Sequence, residues 1–231
     1  MIQDPASELF AIALRTPDDQ APDGVPTADL RVLALARRRF GLALPPPFVP
    51  APDGEIPIRA GGGTDGPAIA VVQRRSMRAR YRSVLGDDFL DRLDFSYLGA
   101  LWTGLAAVPP TPRHRLLVAG RRGEVHGMVA TGPARDDDLA GESVGEVRSL
   151  YLDPTVIGRG LGRRLLHAAV DTLHGSGFDD HVLWVVEGNR AGRAFYEGLG
   201  WEADGARRPV SAGGVSTDEV RYRPASPATT P

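Results

Sequence analysis

Glu146-Val-Arg-Ser-Leu-Tyr-Leu-Asp-Pro154 runs, after three further residues, into Gly158-Arg-Gly-Leu-Gly-Arg-Arg164. Ser143–Leu152 reads as a strand, and the glycine turn opens a helix over Gly160–His174 in which Leu161, Leu165, Ala169 and Leu173 recur every fourth residue. That spacing places one apolar face against a sheet. Val182–Val186 is the next strand, so the crossover joins two parallel strands and is right-handed. Working outward, Asn189–Gly198 is a short helix and Val215–Arg223 a closing strand. Upstream, Arg115–Ala119 and Glu124–Thr131 flank the turn Arg121-Arg122-Gly123 as a hairpin. Ile56–Arg59 is a strand. A helix over Pro67–Arg82 carries Ile69, Val72, Ser76 and Ala79 on one side. Gly86-Asp87-Asp88 breaks it, and Phe89–Leu105 continues as helix on Leu90, Leu93, Leu98 and Leu101. A hairpin joined to a strand–helix–strand–helix unit predicts an α/β (α+β) fold, a mixed sheet covered by helices.

The 231 residues divide unevenly. Residues 1–52 contain a helix over Thr27–Phe40 and a stiff proline linker from Pro45 to Pro52. Residues 53–224 form the main domain, and 225–231 read as a disordered tail. The helix Thr27–Phe40 is too short to stand alone, so it is expected to dock on the chain's own core or on a second copy in a homodimer.

Composition removes several classes of function. There is no Cys, hence no disulfide, thiolate metal site or Cys nucleophile. All 27 Lys+Arg residues are Arg, which excludes a lysine Schiff base and the lysine of a Walker loop. A net charge of -2 argues against a nucleic-acid footprint. No apolar run approaches the roughly 18–20 residues of a membrane span. Met1–Leu14 lacks a basic leader, and a cytoplasmic location is the expectation. His167, Asp171 and His174 share a helix face, yet no second cluster completes a metal set; they read as a solvated surface. The basic run Arg74, Arg75, Arg78, Arg80 and Arg82 reads as a solvated face too, with an acidic or carboxylate-bearing partner as the competing reading.

Glycines at the helix start let a ligand approach unpaired N–H groups, whose dipole favours an anion. Arg159, Arg163 and Arg164 add positive charge there. A dinucleotide fingerprint would need Gly where Arg163 stands, and Asp153–Ile157 separates strand from glycines. That reading stays open through Glu187, placed at the end of the next strand as a ribose-binding acid; competing with it is a pyrophosphate turn of the kind that acyl-CoA-dependent acyltransferases carry.

In order, Glu146–Pro154, Gly158–Gly162 and Asn189–Trp201 resemble the consecutive core motifs of the GNAT superfamily of N-acetyltransferases. The likeness spans about residues 55–224, and residues 1–52 lie outside it. Two positions depart from the pattern: Ile157 replaces the usual Gln or Arg, and Gly192 replaces a small Ala, a change expected to be harmless for packing. The resemblance implies a mostly antiparallel sheet with one splayed parallel pair, and acetyl-CoA as co-substrate with no metal. It implies that Leu150, Tyr151 and Leu152 line the pantetheine arm. Gly158, Arg159, Gly160, Leu161, Gly162 and Arg163 would cradle the pyrophosphate, and Asn189 would touch the cofactor from the far side. Tyr196 occupies the position whose hydroxyl approaches the CoA sulfur as general acid. Glu146 stands where some members carry a base carboxylate; strand alternation sets it beside Arg148, Leu150 and Leu152 unless a bulge intervenes, and an ion pair with Arg148 is the competing role. The implied reaction is direct acetyl transfer to a primary amine of a small molecule or peptide. A non-catalytic acyl-CoA-binding module is the alternative.

Overall fold

The computed structural model describes residues 54–87, 90, 95–139, 143–212 and 215–225. The helix read over Thr27–Phe40, the proline linker and nearly all of the C-terminal tail lie outside them. Seven strands form one sheet: β1 (Ile58–Ala60), β2 (Arg115–Ala119), β3 (Gly127–Pro133), β4 (Val144–Leu152), β5 (Asp180–Val186), β6 (Trp201–Ala212) and β7 (Val215–Pro224). Their order is β1-β2-β3-β4-β5-β7-β6, antiparallel throughout except for the β4–β5 pair. The mixed, mostly antiparallel sheet with one parallel pair is therefore present.

Helices α1 (Gly66–Leu85) and α2 (Phe95–Ala107) cover one face; α3 (Leu161–Gly175) covers the other, and α4 (Arg190–Glu197) follows β5. On α3 the four predicted positions Leu161, Leu165, Ala169 and Leu173 are all buried. Each buried leucine there contributes about 1.5–3 kcal/mol. On α1 the predicted stripe is displaced: Ile69, Val72 and Met77 are buried, but Ala79 is exposed and Ser76 only half-buried. The second helix is described over Phe95–Ala107; of the stretch read as its first half, Leu90 is helical and buried, and residues 88, 89 and 91–94 lie outside the described residues.

One strand escaped the sequence reading altogether. Trp201–Ala212 contains Asp204, Gly205 and Pro209, all poor strand formers. It forms β6 by pairing with β7, on the outer edge of the sheet as described. Its register shifts between Ala203 and Arg207, which absorbs the glycine. A proline is tolerated on an edge whose outer side needs no donor.

Two irregularities place the site. The ladder between β3 and β4 pairs Thr131 with Val147 but Ala130 with Ser149, so Arg148 is an extra, bulged residue on β4. The β4–β5 pairing ends at Val147↔Leu183, although β4 continues to Leu152 and β5 to Val186. Beyond that pair the strands part, and β5 takes β7 as its partner through Val186↔Glu219.

Candidate active site

Beyond the fork between β4 and β5, no strand among the described residues pairs with the β5-facing edge of Ser149–Leu152. Exposed backbone donors and acceptors of this kind accept an added extended chain. The bulge also resets the strand's faces. Val147, Leu150 and Leu152 all pack in the cluster with α3, whereas Tyr151 packs with α1 and α2. Glu146 consequently lies on the face opposite Leu150 and Leu152, contrary to simple alternation. Its partner is not Arg148 either. Arg135 donates from Nε to Oε2 at 3.0 Å and from Nη2 to Oε1 at 2.8 Å, and Glu146 is 1% exposed. Arg148 instead donates to the carbonyl of Pro133.

At the open end of the fork stands the glycine turn. Gly158 and Gly160 have φ of 83° and 78°, and a Cβ on either would meet nothing within 4 Å. The left-handed backbone turns the chain into α3 while leaving space above the first N–H groups of that helix. Arg159 and Arg163 are exposed beside it, and Arg164 pairs with Glu55 at 2.8 Å. Leu161 and Gly162 are buried, so they shape the turn from beneath. The turn's approach is held by Asp153, whose side chain accepts from Thr155 and pairs with Nε of Arg75 at 2.6 Å. One arginine of the run read as a solvated face thus ties α1 to this loop. An open anion-accepting turn beside an unpaired strand edge fits a phosphate-bearing ligand with an amide-containing arm.

Three tyrosines flank the fork from three elements: Tyr81 on α1, Tyr151 on β4 and Tyr196 on α4. Burial raises the pKa of each above the ordinary phenol value, that of Tyr81 to about 12. All three hydroxyls therefore keep their protons at neutral pH. The Tyr196 ring sits 5.2 Å from Phe195 and 6.3 Å from both Trp201 and Tyr222. Gln73 accepts from Trp102 Nε1 at 2.7 Å and hydrogen-bonds Tyr151.

Asn189 is committed at both ends of its amide. Oδ1 accepts from Gly192 N at 3.0 Å, capping α4, and Nδ2 donates to the Tyr81 hydroxyl at 3.2 Å. Gly192 turns out to matter here, because a Cβ would lie 2.5 Å from Nδ2 and 2.9 Å from Cγ of Asn189. Neither Tyr81 nor Arg135 is marked by spacing or motif in the sequence. His167, Asp171 and His174 are exposed, and no group of three potential metal ligands gathers among the described residues. Nor is any described helix long and apolar enough to cross a membrane.

Comparison with known proteins agrees with this geometry. The profile of the acetyltransferase (GNAT) family matches residues 80–201, more than half of the chain. A probable N-acetyltransferase of Mycobacterium tuberculosis is 29% identical over 173 residues, covering 73% of this chain and 92% of that protein. Mycothiol acetyltransferase of a Nocardioides species is 43% identical over 61 residues, 26% of this chain and 21% of its own length. Among solved structures, PaiA N-acetyltransferase from Thermoplasma acidophilum, in complex with coenzyme A, superposes with a TM-score of 0.55. It shares 20% identity over 72% of this chain and 98% of its own.

Proposed function

Because the chain belongs to the acetyltransferase (GNAT) family, we propose that it transfers an acetyl group from acetyl-CoA to a primary amine of a small molecule or peptide, by direct attack with both substrates bound. The observation that carries this is the fork itself: a β4 edge that takes no strand among the described residues, ends beside the glycine turn and is flanked by proton-bearing tyrosines. The coenzyme A in the Thermoplasma complex supports the choice of acyl donor. In this reading the amides of Leu150–Leu152 take the pantetheine arm as an added strand. Gly158–Arg163 hold the pyrophosphate with backbone N–H groups and the charge of Arg159 and Arg163. Tyr196 gives its proton to the departing sulfur, a role suited to a phenol that burial keeps neutral. Asn189 acts chiefly as the cap of α4 and tether of Tyr81, since both ends of its amide are occupied.

Glu146 is reassigned. A base must reach the amine, and this carboxylate is buried with both oxygens on Arg135. It serves as an anchor for the chain that follows β3.

The test is release of CoA, with mass detection of product, from acetyl-CoA and four amines: spermidine, tyramine, L-alanine amide and methoxylamine. Turnover of at least one is expected. Tight binding of acetyl-CoA with no turnover of any would support the alternative, a non-catalytic acyl-CoA-binding module, for which exposed Ile157 beside the turn is the one favourable feature.

A further inference from the structure

With Glu146 occupied, the proton released by the acceptor needs another destination near the fork. Leu183 is the last β5 residue paired with β4, so Trp184 is the first beyond the branch. Its indole Nε1 donates to Oδ2 of Asp136 at 3.2 Å. Asp136 lies in the segment after β3, laid over the sheet face that also carries Glu146 and Trp184. Its side chain is 10% exposed, buried yet still in touch with solvent.

We propose that Asp136 is the carboxylate that accepts the proton of the incoming ammonium, a role that rests on the acetyl-transfer reading above. The geometry around it keeps the group ionisable without neutralising it. Arg221, on β7, faces it, but its Nη1 stays 3.9 Å from Oδ2. That guanidinium is taken by Asp138 at 2.8 and 2.6 Å and by Asp204 at 2.6 Å. Arg208, on β6, lies 4.3 Å over the Trp184 ring and bonds Glu219 at 2.7 Å. Glu146, on β4, adds a like charge nearby. Burial is the largest influence and Glu146 reinforces it; together they outweigh the Trp184 hydrogen bond and the two arginines, leaving the Asp136 carboxyl above the ordinary carboxylate range. A solvent-linked carboxylate of raised proton affinity, tied to the first residue beyond the branch, suits general-base catalysis.

The step balances as follows. Asp136 removes one proton from the ammonium, and the freed lone pair forms the C–N bond to the thioester carbonyl. The C–S bond breaks, sulfur takes the Tyr196 proton, and the nitrogen's second proton returns to the Tyr196 oxygen. The proton on Asp136 leaves to solvent.

Asp136→Asn keeps an oxygen for the Trp184 donor and loses only the basicity. With tyramine, kcat/KM at pH 7 should fall by about 10²–10⁴. Methoxylamine is already neutral at that pH, because its oxygen withdraws electrons from nitrogen, and its rate should change less than about threefold if proton removal is the lost function. Acetyl-CoA affinity by calorimetry should stay the same. Trp184→Phe supplies a second reading should the Asn variant fail to fold: loss of the donor favours the protonated carboxyl, so the acid limb of kcat/KM should move to higher pH. Equal losses for both amines, or an unmoved limb in Trp184→Phe, overturns the assignment to Asp136 alone. A wild-type protein that turns over none of the four amines overturns acetyl transfer and this role with it.

Discussion

Glu146 and Arg135 face each other in a two-point contact, with the carboxylate 1% exposed and the guanidinium side chain 17% exposed. The pair joins β4 to the chain leaving β3, eleven residues earlier, and so fixes the segment that carries Asp136. In the proposed reading Glu146 holds this segment, and proton transfer falls to other groups.

Glu146→Gln should therefore destabilise rather than alter the chemistry. Removing one charge of a buried bidentate pair costs on the order of 1–3 kcal/mol. Urea unfolding measures the loss. The shape of the pH–rate profile should match the wild type, and a variant of normal stability with a lost acid limb would return the base role to Glu146.

Tyr196→Phe keeps the ring among Phe195, Trp201 and Tyr222 and removes only the hydroxyl. Turnover should fall by about 10²–10⁴ while acetyl-CoA affinity holds. Stopped-time CoA release and calorimetry on the same preparation separate the two quantities.

Gly160→Asp puts a side chain at a φ of 78°, where L-residues are strained, and a negative charge into the open space above the helix start. Acetyl-CoA binding should weaken by about 1–3 kcal/mol through repulsion and lost charge-assisted hydrogen bonds. Gly160→Ala isolates the strain, because its Cβ meets nothing; it should lower stability by about 1 kcal/mol yet cost less affinity than Asp. Equal affinity for wild type and the Asp variant would place the anion site elsewhere.

Stability should depend on acid through Asp65, buried at the start of α1 and gripped by Arg59 at 2.7 Å through both oxygens. Burial alone would raise its pKa, but the Arg59 bonds and the Gly62 N–H more than reverse this, and the folded value is lowered. A lowered folded value means that the unfolded chain binds the proton more readily. The pair's contribution is thus fully present above the unfolded carboxylate value of about 3.9 and is lost as pH falls through the lower folded one. The stability gap between wild type and Asp65→Asn should be flat from pH 5 to 7 and close below about pH 4; thermal melts across that range measure it.

Much of the fold was legible because its signals are local. The four-residue stripe of α3, the glycines that turn into it and the Asn189 cap each depend on residues within a turn or two of one another. Those features alone determined the parallel crossover, the glycine turn into α3 and the order of elements around them. β6 was invisible for the converse reason: its residues disfavour strands, and only pairing with β7 makes them one.

The site's side-chain partners were decided by tertiary structure. One bulged residue, Arg148, reverses which face of β4 each later side chain takes, so Glu146 parts company with Leu150 and meets Arg135. Asp136 and Trp184 are 48 residues apart, and Asn189 and Tyr81 are 108 apart. Strand period and helix period specify a face within one element. Which charged or hydroxyl group waits on the neighbouring element depends on register, on where two strands stop pairing, and on how loops settle over the sheet, all of which are set by packing between segments distant in the chain.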